Sequence, residues 1–170
     1  FLKYDEDFDR YFRMKEDPDV VVMFDKYPFK LVCWHGLNYY PIWYAENDIG
    51  ISHEAVETWG HLGTHEAMMD KQVRYANVRI LESNDARVVL HYRHAMNNME
   101  YGLIHEDSIS GWHDWCDEIL TIYPDGVAAR NLIHWCSYLG LTGKKGRIQV
   151  EDFIEEVDDS GNLINKDDED

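Results

Sequence analysis

Tyr75, Asn77, His91 and Arg93 fall within one stretch, "THEAMMDKQVRYANVRILESNDARVVLHYRHAM" (64–96), where polar and apolar residues alternate. Arg and Asn donate hydrogen bonds to carboxylates, while His and Tyr can pass a proton to a group within hydrogen-bond reach. These types suit elimination from a uronic acid. There a base takes the C5 proton α to the carboxylate, an acid helps the C4 oxygen leave, and donors neutralise the carboxylate as charge builds on it. Such a set could equally hold an acidic sugar without cutting it, or simply face water as the polar side of a sheet.

Alternation brings these residues together if the stretch is a hairpin. With Ser83-Asn84-Asp85 as the turn, Glu82 faces Ala86, and the pairs Ile80–Val88, Val78–Leu90 and Ala76–Tyr92 make one apolar face. The other face then pairs Tyr75 with Arg93, Asn77 with His91 and Arg79 with Val89. A slip of one residue would scramble both faces, so burial selects against it. His94 and Tyr92 belong to the apolar side. Arg130 and His134 share a face of the 127–138 run and would extend the polar patch if that strand lies beside it.

The elements around this hairpin read as β. Runs at 19–25, 29–36, 38–47, 50–60, 73–82, 86–96, 117–138 and 147–157 are rich in β-branched and aromatic residues, with turn signals between them. Pro41 restricts its run to an edge or bulged strand, and Tyr-Pro-Asp-Gly at 123–126 presets a tight turn. The best helical segment, 64–76, supports one or two turns. We expect an all-β, antiparallel β-sandwich of jelly-roll or super-sandwich type with minor helix. It fills one domain over 1–157, or part of a larger one, and 158–170 follows as an acidic tail or linker.

Composition limits the partners. The chain has 170 residues and a formal net charge of −17, yet 45% are hydrophobic and 14% aromatic, enough for a packed core. Such acidity argues against nucleic-acid binding, which needs a cationic footprint. No run is long and apolar enough for a membrane helix. Cys33, Cys116 and Cys136 show no zinc-type spacing and allow either one disulfide with a free thiol or three thiols. The start at Phe1 without Met favours a piece of a longer polypeptide over a processed protein.

Secondary sites follow from the remaining His, Trp and acidic residues. His53, His61, His65 and Glu66 could ligate a divalent metal, but Gly63 weakens the helix that His-x-x-x-His would need. Donors to sulfate or carboxylate are the simpler role. Trp112 and Trp115 in "GWHDWCD" read as a sugar-stacking platform or as a hydrophobic plug. Residues 156–167 resemble a calcium loop through Asp158, Ser160 and Gly161, but Glu156 and Asp167 are the wrong residues at its ends. These residues single out no cofactor, and a divalent cation such as calcium stays an open reading.

The segments "NYYPIWYAENDIG", "EAVETWG", the 64–96 stretch and "WHDWCDEILTIYPDGVAAR" resemble marine bacterial polysaccharide lyases active on ulvan. The likeness spans about residues 19–138 and includes His65-Glu66, Asp70-Lys71-Gln72, Arg74-Tyr75 and Arg79. It implies a β-sandwich enzyme, secreted to the periplasm or beyond, that cleaves a sulfated, uronate-containing polysaccharide by elimination. Such lyases are usually longer, so further domains of the same polypeptide are expected. The expected catalytic set is Tyr75, Asn77, His91 and Arg93, with Arg79, His65, His134, Trp112 and Trp115 contacting substrate. A non-catalytic carbohydrate-binding sandwich is the alternative, and a purely structural domain is the third reading.

Overall fold

Twelve antiparallel strands carry the described chain, which comprises residues 19–45, 49–52, 57–60, 63–137, 146–157 and 163–165 of a computed structural model; 146–157 and 163–165 are described by backbone pairing alone. A four-stranded sheet, in the order β1-β2-β3-β4, holds β1 (Val20–Met23), β2 (Lys30–Cys33), β3 (Pro41–Tyr44) and β4 (Gly50–Ile51). A ribbon pairs β5 (Glu57–Gly60) with β6 (Gly63–Glu66). The large sheet contains β7 (Asn77–Ser83), β8 (Val88–Ala95), β9 (Trp115–Ile122), β10 (Val127–Cys136), β11 (Gly146–Val157) and β12 (Leu163–Asn165). Its strand order is β12-β11-β10-β9-β8-β7.

The two main sheets share one core, as a sandwich requires. Val20, Leu31, Tyr40 and Trp43 from the small sheet cluster with Val78, Leu90, Tyr92 and Leu120 from the large one. Alternation decides which residues enter it: the even positions of β8, β9 and β10 face inward, and the odd positions face outward. At one end Phe24, Tyr27, Phe29 and Trp43 pack ring on ring, with Phe24 stacked 5.8 Å from Trp43.

Turns fix the register. Tyr123 accepts a 3.1 Å bond from the Gly126 amide, so Tyr-Pro-Asp-Gly forms the expected turn between β9 and β10. Gly126 has φ +88°, and a Cβ there would lie 2.8 Å from the Phe29 ring, so both backbone and packing demand glycine. Pro41 opens β3 opposite Cys33, and β4 pairs only as far as Trp43 and Tyr44. The proline therefore takes the first position of its strand, where it is tolerated.

The central hairpin departs from its expected register by two residues. Asn84, not Ser83, starts the loop: its side-chain oxygen accepts from the Ala86 and Arg87 amides, and its own amide bonds the Arg87 carbonyl. Arg87 folds back onto Glu82 through Nε and Nη2. Ser83 thus pairs with Val88, and a bulge between Ile80 and Glu82 gives Ile80–Leu90, Val78–Tyr92, Arg79–His91 and Asn77–Arg93. A two-residue displacement keeps each residue on its face, so Ala76, Val78, Leu90 and Tyr92 are buried as expected. Ile80 is not: β7 is the sheet edge, and Ile80 remains 40% exposed.

The segment 64–76 is strand, turn and a single 3-10 turn at Ala67–Met69 rather than α-helix. Asp70 then gathers the chain: Oδ1 accepts from the Arg74 amide, and Oδ2 from the Tyr75 and Ala76 amides. Leu163–Asn165, within the expected acidic tail, pairs with Glu155–Val157. No helix of the described residues is long and apolar enough to cross a membrane. Cys33, Cys116 and Cys136 are buried free thiols, which decides between the two cysteine readings. Burial lifts the Cys33 thiol to about 12.

Candidate functional site

On the outward face of the large sheet, the expected residues Tyr75, Asn77, Arg79, His91, Arg93 and Trp115 meet two that sequence reasoning missed, Asp117 and Trp135. Asp117 on β9 pairs with Arg93 on β8, and His91 and Trp135 are its neighbours on either side. Its Oδ1 accepts from His91 Nε2 at 2.7 Å, and its Oδ2 accepts from Arg93 Nη1 at 2.6 Å and Trp135 Nε1 at 2.7 Å. Burial pushes the Asp117 carboxyl up, but the bonds from His91 and Arg93 and the guanidinium charge outweigh it. The group is held below the ordinary carboxylate range.

His91 is held from both sides. Arg79 Nε donates to its Nδ1 at 3.0 Å, so the ring carries its proton on Nε2 and gives it to Asp117. With both nitrogens engaged and the ring buried, His91 positions its neighbours and has no lone pair left for a substrate proton.

Arg93 lies half-exposed with its guanidinium 4.6 Å from the Trp115 ring centroid, a cation–π arrangement. Only one of its five donors is spent on Asp117. Arg79, exposed, spends Nε on His91. The two sit diagonally across the β7–β8 pair, about 7–8 Å apart at the backbone. Tyr75, placed by Asp70 just before β7, sets its ring edge-on to His113 at 5.9 Å and to Trp115 at 6.3 Å. Asn77 is half-buried opposite Arg93.

Not every expected contact joins this face. His134 has even parity and points inward, where its Nε2 bonds Asp114 Oδ2 at 2.9 Å; the expected extension of the patch by His134 and Arg130 is therefore corrected. Arg130 is fully interior. Its Nε and Nη2 bond Glu118, which also receives His94 Nε2 at 2.9 Å, and Tyr40 and Tyr92 pack beside the network. His65 is buried in β6, with Nδ1 3.0 Å from the Gly63 carbonyl, a local structural bond. Trp112 is an exposed loop residue, and Trp115, not Trp112, belongs to the patch. His53, His61 and most of the calcium-like loop (158–162 and 166–167) lie outside the described residues.

Asp117 and Trp135 were legible only in part. Both lie at odd positions of runs recognised as strands, but their role needs the β8–β9–β10 order, which local pattern does not supply. No protein-family model, curated protein or solved structure matches the chain.

Proposed function

We propose that the outer face of the large sheet binds an acidic saccharide chain, as a carbohydrate-binding β-sandwich surface. The observation that carries this reading is the Arg93 guanidinium, clamped by Asp117, laid over Trp115 and 37% exposed. Arg93 and Arg79 would take carboxylates or sulfates on neighbouring sugars, since guanidinium matches oxyanions in shape and charge. Trp115 and Tyr75 would meet the flat sugar faces. Arg79 and Arg93 are preorganised by His91 and Asp117, which reduces the ordering lost on binding. Uronate-bearing polymers outside the cell are the partners this reading names.

Affinity electrophoresis through gels loaded with ulvan, alginate, pectate or a neutral glucan tests it. Retardation by a uronate polymer and not by the neutral one supports the reading; equal mobility in all gels contradicts it.

Cleavage is the second reading, favoured by the Tyr75 phenol on the same half-buried face as Arg93. In that reading Arg93 and Asn77 neutralise the substrate carboxylate, Tyr75 moves the proton, and His91 fixes the frame. The resemblance to ulvan lyases supports it as well. Elimination leaves a C4–C5 double bond conjugated to the carboxylate, so absorbance in the far ultraviolet rises during digestion. A Tyr75→Phe chain that still binds but no longer produces that rise would assign the proton transfer to Tyr75. A flat trace with the unaltered chain contradicts cleavage by this chain, and the gel retardation above then separates a binding surface from a purely structural domain.

A further inference from the structure

Three separately anchored segments converge at the end of the large sheet where β9 begins and β10 ends. Asp114 immediately precedes β9, Cys136 closes β10, and Trp115 pairs with Trp135 between the same two strands. His105 arrives from the long excursion between β8 and β9. It is placed by bonds from the Ile104 amide to the Met96 carbonyl and from the Asp114 amide to the Ile104 carbonyl. The Ser137 hydroxyl bonds the His105 carbonyl as well.

We propose that His105 Nδ1, Asp114 Oδ2 and Cys136 Sγ form a zinc-type metal site. Among the described residues, these are the three ligand-bearing groups whose donor atoms all lie within 4.8 Å of one another. His105 Nδ1 is 3.0 Å from Asp114 Oδ2 and 3.6 Å from Cys136 Sγ. Tetrahedral zinc, with bonds of about 2.0–2.1 Å to N and O and about 2.3 Å to S, separates N from O by about 3.3 Å and N from S by about 3.6 Å. The observed spacings are already close to those of a filled site.

The geometry argues against the rival use of the same residues, a Cys–His–Asp relay. A relay needs one imidazole nitrogen toward the thiol and the other toward the carboxylate. Here a single nitrogen, Nδ1, faces both, so the three atoms point at one spot instead of forming a chain.

The surroundings orient the ligands. Asp114 Oδ1 is occupied by the Ser137 amide at 2.8 Å and the Ser137 hydroxyl at 3.2 Å, which turns Oδ2 toward His105 and Cys136. His134 Nε2 bonds that same Oδ2 at 2.9 Å and serves as a positioning residue. Asp114 and Cys136 are buried while His105 is a third exposed, so a fourth position opens toward solvent and takes water. A thiolate, an imidazole and a carboxylate select zinc over calcium or magnesium, which favour all-oxygen shells.

Cobalt(II), added to the chelator-treated chain, reads the site without any assay of activity. The expected result is one cobalt per chain with a near-ultraviolet thiolate-to-cobalt charge-transfer band. Cys136→Ser should abolish that band while circular dichroism stays unchanged. His105→Asn, which suits the left-handed backbone there (φ +53°), should weaken cobalt binding more than roughly tenfold with circular dichroism unchanged, and His134→Ala by roughly 10- to 100-fold. A wild-type spectrum without the thiolate band overturns the site. So does a band that survives in Cys136→Ser, where Cys33 or Cys116 would be its source, or wild-type affinity in His105→Asn.

Discussion

Asp117 Oδ1 accepts the Nε2 proton of His91 at 2.7 Å, and that bond decides what the imidazole does. Because Arg79 fills the opposite nitrogen, the ring is a spacer between a cation on β7 and an anion on β9. The chain of contacts runs Arg79–His91–Asp117–Arg93 and ends on the Trp115 ring. It accounts for a cationic, aromatic surface on a protein of net charge −17. Position, not total charge, governs what this face can bind.

Replacing Arg93 should weaken saccharide binding without unfolding the sheet, because its side chain is more than a third exposed. A charge-assisted hydrogen bond contributes about 1.5–3 kcal/mol, so Arg93→Gln should lower affinity roughly 10- to 100-fold. Arg79→Gln, at the more exposed edge strand, should lower it less. Titration calorimetry against a uronate oligosaccharide checks both, and unaltered affinity in Arg93→Gln would remove the guanidinium from the account.

The interior network answers to a different test. Glu118 and Arg130 are both buried, so Glu118→Leu leaves a cation unpaired inside the sandwich and should cost about 3–5 kcal/mol. Adding Arg130→Met removes the stranded charge, and the double variant should lose less than Glu118→Leu alone. Urea denaturation of both proteins compares them directly. A double variant less stable than the single one would mean that Arg130 is not left as a costly unpaired cation when Glu118 is lost.

Acid should weaken the fold through the same group. Burial raises the Glu118 carboxyl, but the Arg130 charge and the bond from His94 outweigh it, holding it below its ordinary 4.5. Tyr40, Tyr92 and Cys33 are the other titratable groups near this network. The unfolded chain then binds the proton more readily, so the contribution is complete above about pH 4.5 and is lost as pH falls toward the lowered folded-state value. Asp117 and Asp114, the latter lowered to about 2, act in the same direction. Denaturation midpoints should be alike at about pH 7 and 5 and lower at about pH 3, and Glu118→Gln should lose less between about pH 5 and 3. Parallel profiles for both chains would assign the acid response elsewhere.

Two neighbours on β7 should behave oppositely. Val78 is 3% exposed against Tyr92, so Val78→Asp buries an unpaired carboxylate and should abolish cooperative unfolding. Ile80 lies at the edge and 40% exposed, so Ile80→Thr should shift stability by no more than about 0.5 kcal/mol. A folded Val78→Asp protein would invert the faces assigned to the hairpin.

The sequence carried most of the strands, their parity and most of the site face, because alternation survives any even displacement of register. It missed β6, inside the segment read as helical, and β12, inside the expected tail. It did not carry the register itself, since that depended on Asn84 capping its own loop and on a bulge at Leu81. Asp117 and Trp135 escaped because their meaning arises from which strand lies beside which. His134 was misplaced for a related reason: its parity was read correctly, but the face with Arg130 is interior. The convergence of His105, Asp114 and Cys136 joins positions up to 31 residues apart with no repeating spacing to announce it.

The central claim is that this face recognises charge on a sugar. Calorimetric titration of the chain with a uronate oligosaccharide, and with the same oligosaccharide after its carboxylates are reduced to alcohols, tests it most directly. The account predicts binding of the acidic form, with the reduced form at least about tenfold weaker because each guanidinium loses a charged partner. Equal affinity for the two forms, or no binding of the acidic form, would contradict it.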